Sequence, residues 1–216
     1  MRKNDIMKRT DFQEYWRYYI HLEALLIKTF DFVALTGDNF FTYSNQYASI
    51  LQLTGAELDA FFKYYINSNG RNIKDYMQSF VKEHHELIEQ EVEILDSDII
   101  LKPFEKCEGV LCGNPMFWWK AFTDIKHNRV KNFLKANLCN CLNALAALYM
   151  IECQCIRDIA ESDGEIDIPV PESKLFDLKN WESNFFPISK LSISVSGKQI
   201  SPGSVELKTP SGSGKI

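Results

Sequence analysis

The strongest constraint on the fold is a long series of apolar residues with helical spacing between residues 128 and 160. The apolar side chains of this series are Val130, Phe133, Leu134, Leu138, Cys141, Leu142, Leu145, Leu148 and Tyr149. Apolar residues that recur about every 3.6 positions form one face of an amphipathic helix. The pattern predicts one continuous helix over residues 128–160, with this face in the core.

The opposite face of this predicted helix carries small and amide side chains. They are Arg129, Asn132, Ala136, Asn140, Asn143 and Ala147. Small side chains let another helix approach closely, so this stripe is a candidate packing surface. The neighbour could be another helix of the same chain or a second copy of the protein, and we predict a homodimer.

Four more helices are predicted from apolar spacing and from helix-ending residues. They cover about residues 11–35, 44–65 and 73–80, and a stretch that begins near Pro115. In residues 92–101, apolar residues instead occupy every second position on both sides of the turn Asp96-Ser97-Asp98, which is typical of a β-hairpin. The predicted fold is therefore mainly α, a helical bundle of about five helices over residues 10–160 with a small β-hairpin insertion.

Beyond residue 160 the helical pattern ends. Residues 161–216 are predicted to form an acidic, irregular C-terminal tail, because prolines interrupt its first part. In residues 191–195, apolar residues alternate with serines, which is typical of a β-strand, and residues 205–208 are a possible partner strand. The last residues, Ser211 to Lys215, have the composition of a flexible linker and are predicted to be disordered.

Charge and composition exclude several functions. The net charge of −5 argues against a general coat for nucleic acid, although a local basic patch stays possible. No apolar signal segment follows the N-terminus, and no stretch approaches about 18 uncharged apolar residues. We therefore expect a cytoplasmic protein without a membrane span, whose six cysteines are free thiols.

Two sequence patterns contain residue types that bind metals, but the spacing of those residues does not support a metal site. Cys139-x-Cys141 and Cys153-x-Cys155 lie fourteen residues apart, which is about 21 Å along a continuous helix and too far for one zinc ion. His84 and His85 lie among glutamates, but adjacent side chains point apart on a helix, and a solvated charged helix end is the prediction. No metal and no small-molecule cofactor is expected.

The densest chemistry lies in residues 118–129. Asp124 and His127 are three positions apart, so on a helix the carboxylate can orient the imidazole. Lys126 and Arg129 have the same spacing and could together hold one phosphate. This arrangement is typical of a metal-free centre for phosphodiester cleavage, in which the histidine transfers a proton and the cations stabilise the developing charge.

A structural role is the alternative for the same residues. If the long helix extended back to His127, this side chain would lie on the core face with Val130 and Leu134. A core histidine bonded to a nearby carboxylate or carbonyl only supports the packing. Trp118 and Trp119 are predicted to be packing anchors rather than base-stacking surfaces.

This stretch also carries a family resemblance. The residues involved are Trp118-Trp-Lys-Ala-Phe-Thr-Asp-Ile-Lys-His-Asn-Arg129, then Phe133, 136–138 and 142–148. They resemble uncharacterised bacterial helical proteins, which in turn resemble the HEPN superfamily (higher eukaryotes and prokaryotes nucleotide-binding). The resemblance implies a helical, usually dimeric bundle. It also implies metal-independent ribonuclease activity in toxin–antitoxin and phage-defence systems.

The catalytic pattern of that family is an arginine followed, after four to six residues, by a histidine. Here only three residues separate Arg17 from His21, and six residues separate Lys120 from His127. By the resemblance, His127 would be the acid/base and Lys120 would contact RNA in place of the arginine. Two functions stay open: an RNA-directed protein, or a non-catalytic helical interaction protein that forms a homodimer. Whether the chain is an enzyme is left open as well.

Overall fold

The computed structural model describes residues 7–65, 83–105 and 116–181, together with the backbone of 193–195 and 198–200. In these residues the helices are α1 (Arg9–Ile27), α2 (Asn45–Tyr65), α3 (Phe117–Asn132) and α4 (Leu138–Asp163). Short 3₁₀ turns cover Lys28–Asp31, Gly37–Asn39, His85–Ile88 and Phe133–Lys135. The mainly α class is confirmed. The helix predicted at 73–80 lies outside the described residues.

Helix α4 is the centre of the core, and α1, α2 and α3 all pack against it. Between residues 138 and 160 only Cys139, Arg157 and Asp158 are partly exposed. The Asn137 side chain caps the first turn by accepting from the Asn140 N–H at 3.0 Å. Gly164 ends the helix in the left-handed region, at φ 69°. By length and composition α4 could cross a membrane, but 94% of its most apolar window is buried inside the molecule, as in a soluble core helix.

The single helix predicted over 128–160 is wrong, because the chain breaks twice before α4 begins. Asn128 leaves the helical region at φ −152° and ψ 83°, and the 3₁₀ turn follows. After that turn the backbone bonds to residues 40–44 instead of continuing the helix, for example from the Leu138 N–H to the Thr42 carbonyl at 3.0 Å. The phase of the apolar pattern therefore changes, and Val130 is 89% exposed and Leu134 65% exposed.

The amide stripe lies inside the chain. Asn140 and Asn143 are buried. The Asn140 amide donates to the Lys135 carbonyl at 2.8 Å, and the Asn143 amide donates to the Cys139 carbonyl at 2.9 Å. These amides bond within α4 and to the turn before it, so the buried α4 part of the stripe packs inside the chain, whereas Arg129 is exposed. The homodimer itself stays a prediction.

The predicted hairpin is confirmed and gains a third strand. Strands β1 (Val92–Ile94) and β2 (Ile100–Leu101) pair antiparallel. Strand β3 (Phe176–Leu178) pairs with the other edge of β1, which gives the order β2-β1-β3. The segment before β3 is also held to α1, because the buried Glu23 carboxylate accepts hydrogen bonds from the Lys174 and Leu175 N–H groups. The packed body thus continues past the boundary predicted at residue 160.

A second pair of strands lies near the C-terminus. Strand β4 (Ile193–Val195) pairs antiparallel with β5 (Lys198–Ile200). The predicted first strand is therefore present and pairs with residues 198–200, while the possible partner strand at 205–208 lies outside the described residues.

Helix α3 is held at its N-terminal half. Trp118 is fully buried, as expected for a packing anchor, and its indole N–H donates to the Pro103 carbonyl at 2.9 Å. Gly55 of α2 faces the ring of Phe122, and a Cβ at this glycine would overlap that ring. The missing side chain lets α2 and α3 approach closely. These contacts hold the first half of α3 against the core, and the C-terminal half of the helix is exposed to solvent.

Candidate functional site

The C-terminal half of α3 forms an exposed basic surface. We call Lys126, His127, Arg129 and Lys131 the α3 basic end, and all four side chains are exposed. Residues 120–135 contain five Lys and Arg residues and one carboxylate, although the whole chain has a net charge of −5. Positive charge is therefore concentrated at the place where α3 breaks.

Asp124 lies against lysines rather than against His127. Its carboxylate forms ion pairs with Lys120 at 2.8 Å and with Lys135. Hydrogen bonds from Lys120 and Lys135 hold the pKa of Asp124 below its ordinary value. Among the described residues, no hydrogen bond or ion pair joins Asp124 to His127. The expected role of Asp124 in orienting the imidazole is therefore corrected: Asp124 ties α3 to the turn before α4.

The two cations that were expected to hold one phosphate have different neighbours. The Lys126 ammonium lies 5.6 Å from the centre of the Phe122 ring. The Arg129 guanidinium lies 3.4 Å from the Asn45 side-chain oxygen, at the start of α2. The break between them is stabilised by the Asn128 side chain, which accepts from the Lys131 N–H at 3.1 Å. Lys126 thus contacts α3 itself, whereas Arg129 contacts the start of α2.

His127 is exposed, so it does not lie in the core beneath Trp118 or Trp119. The structural alternative for His127 is therefore excluded by its position. Since α3 breaks at the next residue, the helical phase that would have placed His127 on the core face does not continue. The imidazole is accessible in the same stretch as Lys126 and Arg129, and none of the carboxylates in the described residues bonds to it.

An apolar groove lies beside the α3 basic end. It has a volume of about 350 Å³, and its lining residues are Leu25, Lys28, Thr29, Phe32, Val33, Ser44, Gln46 and Tyr47. Asn45, which contacts Arg129, stands between two of these residues. Phe32 is 88% exposed at the groove, and Tyr43 nearby in the chain is about half exposed. Exposed aromatic rings therefore accompany the cations on this side of the molecule.

A second polar cluster was not predicted as a site. The prediction of a solvated helix end at His84 and His85 is wrong for His84, whose side chain is only 13% exposed. Its Nε2 lies 3.4 Å from Asp158 Oδ2, and Asp158 also accepts hydrogen bonds from the Tyr65 hydroxyl and the Gln154 amide. Burial lowers the pKa of His84, but the Asp158 hydrogen bond and nearby carboxylates outweigh it, and the net pKa is raised.

We interpret this cluster as a structural contact between three segments of the chain rather than as a reaction centre. Asp158 is 15% exposed and belongs to α4, Tyr65 ends α2, and His84 begins the segment that leads to the sheet. A largely buried carboxylate with several donors fixes those three segments to one another. The chain separation of 19 and 93 residues between the hydrogen-bonded groups explains why no sequence motif marks the cluster.

Sequence reasoning missed Lys131 and Lys135 as parts of the basic region. Both are present in the sequence four positions apart, so a count of charge over residues 120–135 would have found them. Within the part of the chain that the structure describes, no group of three or more His, Cys, Asp or Glu side chains could hold a metal ion. In comparisons with known proteins, the chain matches no family model, no curated protein and no solved structure.

Proposed function

We propose that the chain is a HEPN-like protein that binds RNA through the α3 basic end. The observation that carries this proposal is the exposure of Lys126, Arg129 and Lys131 within one short stretch of an acidic chain. Lysine and arginine bind phosphate groups and release the ions condensed on the nucleic acid. A cluster of exposed cations in an otherwise acidic protein favours a local contact with phosphates.

The neighbouring groove favours single-stranded RNA over a duplex. Bases stack on exposed aromatic rings, and such stacking accompanies phosphate contacts in proteins that bind single strands. Phe32 and Tyr43 supply exposed rings, and the groove beside Phe32 can receive an unstacked base. Phosphates would contact Arg129 and Lys131 while a base lies against Phe32.

The test is a titration of fluorescently labelled single-stranded RNA at about 50 mM salt, where phosphate contacts are strong. The triple variant Lys126→Gln/Arg129→Gln/Lys131→Gln is expected to bind about tenfold more weakly or worse. The matched control is Lys8→Gln/Arg17→Gln/Lys174→Gln, which removes two lysines and one arginine at exposed positions outside this surface. If both variants bind like the unmodified chain, the α3 basic end does not bind RNA.

Metal-independent cleavage of the bound RNA is the reaction that the family resemblance implies. His127 is the proposed acid/base, because an exposed imidazole beside cations can move a proton at a phosphodiester. Incubation of RNA with the purified chain in the presence of EDTA, with His127→Ala alongside, separates cleavage from binding. We expect the variant to lose cleavage and to keep the RNA affinity. Cleavage that persists in His127→Ala removes this residue from the mechanism.

The toxin or phage-defence role in a bacterial cytoplasm is also part of the proposal and rests on the resemblance alone. Induced expression in a bacterial host is expected to arrest growth, and His127→Ala is expected to relieve the arrest. Equal growth with both proteins would count against a toxin.

A homodimeric interaction protein is the second candidate, and the exposure of Val130 and Leu134 favours it. Isolated apolar side chains are common on surfaces, but these two lie only four positions apart in a region where the sequence has an apolar repeat. Sedimentation of the unmodified chain and of Val130→Ser/Leu134→Ser tests it. A dimer that dissociates in the double variant supports this candidate, and a monomer at all concentrations excludes it.

A further inference from the structure

A cavity at the other half of α4 has a composition unlike that of the α3 basic end. Its volume is about 300 Å³, and it lies between α1, α4, the segment before β3 and the residues after it. Its aromatic and acidic lining residues are Trp16, Tyr149, Phe176, Trp181, Asp167, Glu172 and Asp177. We call it the aromatic–acidic cavity. Its volume is at the lower end of the range for small-molecule sites.

The aromatic lining is a packed group of rings. The ring centres of Trp16 and Tyr149 are 6.1 Å apart, and those of Tyr149 and Phe176 are 5.8 Å apart. The Trp16 indole N–H donates to the Pro171 carbonyl at 2.7 Å, which ties this ring to the segment before β3. The rings are thus held in place before any ligand arrives.

The charge of the lining is negative. Three carboxylates line the cavity, and none of its lining residues is cationic. Arg157 lies outside the lining, with its Nε 3.8 Å from Asp167. It therefore offsets part of the charge of the buried Asp167, whereas Glu172 and Asp177 are exposed acidic groups at the cavity. Anionic ligands, RNA phosphates among them, are disfavoured here.

The molecule already places a cation on one of these rings. The Arg157 guanidinium carbon lies 3.5 Å from the centre of the Trp181 ring. The face of an indole ring attracts cations, most strongly when the contact is shielded from water. Rings together with carboxylates are the groups that recognise a diffuse organic cation. A compact metal ion needs converging ligands instead, and the described residues contain no such group.

From this combination we propose that the aromatic–acidic cavity binds a small organic cation, an ammonium group that carries methyl groups. The methyl groups contact the rings, and Glu172 and Asp177 supply the opposite charge. This site is separate from the α3 basic end, since Tyr149 lies eleven residues along α4 from Leu138, or about 16 Å. The inference does not depend on RNA binding.

The experiment is a fluorescence titration of the full chain with choline, because Trp16 and Trp181 both line the cavity. The matched ligand control is 3,3-dimethylbutan-1-ol, which has the same shape with a carbon atom in place of the charged nitrogen. We expect a saturable change with choline and affinity about tenfold lower for the neutral alcohol, because only the cation gains from the rings and carboxylates. Equal affinities, or no saturation with choline, would overturn the proposal.

Variants then locate the site. Asp177→Asn and Glu172→Gln keep the size of each side chain and change exposed positions, so the fold is expected to persist. Each is expected to weaken choline binding about threefold to tenfold, with little effect on the alcohol. Asp38→Asn, an exposed carboxylate outside the cavity, is the control. If choline binding is unchanged in Asp177→Asn/Glu172→Gln, the cation does not bind in this cavity.

Discussion

Residues 126–135 and residues 138–160 are adjacent in the chain and share one apolar repeat, yet they lie in opposite environments. In the first region Val130 and Leu134 are exposed, and the cations of the α3 basic end face solvent. In the second region nearly every side chain is buried, including Glu152 and Asn143. Apolar spacing therefore predicted α4 but not the breaks before it, which leave Val130 and Leu134 outside the core.

The polar groups of the two regions also differ in what they contact. In α4 the buried asparagines donate to carbonyls of their own chain, which is what burial requires of a polar group. At the α3 basic end, neither His127 nor Lys131 has a side-chain hydrogen bond or ion pair to another described residue. Polar groups that bond to other parts of the chain contribute to its stability, whereas polar groups that face solvent can contact a partner.

The largest expected effect is on the free energy of unfolding, when a leucine is replaced by alanine in one region and, separately, in the other. Leu145→Ala in α4 is expected to lower the free energy of unfolding by about 2–5 kcal/mol, because it leaves a cavity in the core. Leu134→Ala is expected to change it by no more than about 0.5 kcal/mol, because that side chain is exposed. Urea unfolding of the two variants measures both. Similar losses would mean that residues 128–135 belong to the core after all.

Glu152 in the buried region provides a second contrast. It is fully buried, and neither carboxylate oxygen has a hydrogen-bond partner among the residues that the structure describes. Burial raises the pKa of Glu152 well above its ordinary value, and the nearby Glu57 raises it further. Because the pKa is raised in the folded state, this group costs stability as the pH rises above the ordinary glutamate pKa of about 4.3.

Glu152→Met is accordingly expected to stabilise the fold at pH 7 by about 1–3 kcal/mol and to have less effect near pH 4. Glu161→Met, an exposed position of the same helix, is the control and should change little. The measurement is the unfolding free energy as a function of pH. A loss of stability at pH 7 would show that the Glu152 carboxyl is stabilised by its surroundings.

His84 is expected to have a smaller effect on stability, and its contribution also falls as the pH rises. Its raised pKa means that the ion pair with Asp158 stabilises the fold fully below the ordinary histidine pKa of about 6.5 and is lost as the pH rises through the raised value. His84→Gln is expected to cost about 1 kcal/mol at pH 6 and less at pH 9. The exposed neighbour His85→Gln is the control. A cost that does not vary with pH would mean that packing, not charge, is lost.

The sequence predicted the elements whose patterns are local. Helix α2 was expected from residue 44 to 65 and is found at Asn45–Tyr65, and the hairpin strands lie within the predicted range. The break at Asn128 could not be predicted in this way, because no Pro or Gly marks it. The second departure from the helix, before α4, is held by backbone hydrogen bonds between residues 136–139 and residues 40–44, which are far apart in the chain. Strand β3 has only three residues and depends on β1 in the same way.

The candidate site was predictable in its composition but not in its contacts. The charged residues of 118–129 could be found by inspection, and they do lie together. The pairing of Asp124 with Lys135 crosses the break in α3, so helical spacing suggested His127 as the partner instead. The aromatic–acidic cavity combines residues from Trp16 to Trp181, and no local pattern could have assembled it.

The central claim is that the α3 basic end contacts RNA phosphates, and the salt dependence of binding tests it most directly. Each phosphate contact on a single strand contributes about −0.7 to the slope of log affinity against log salt. The unmodified chain is expected to give a slope of about −2, and Lys126→Gln/Arg129→Gln/Lys131→Gln a slope near zero, while Lys8→Gln/Arg17→Gln/Lys174→Gln keeps the original slope. Equal slopes for all three proteins would contradict the account.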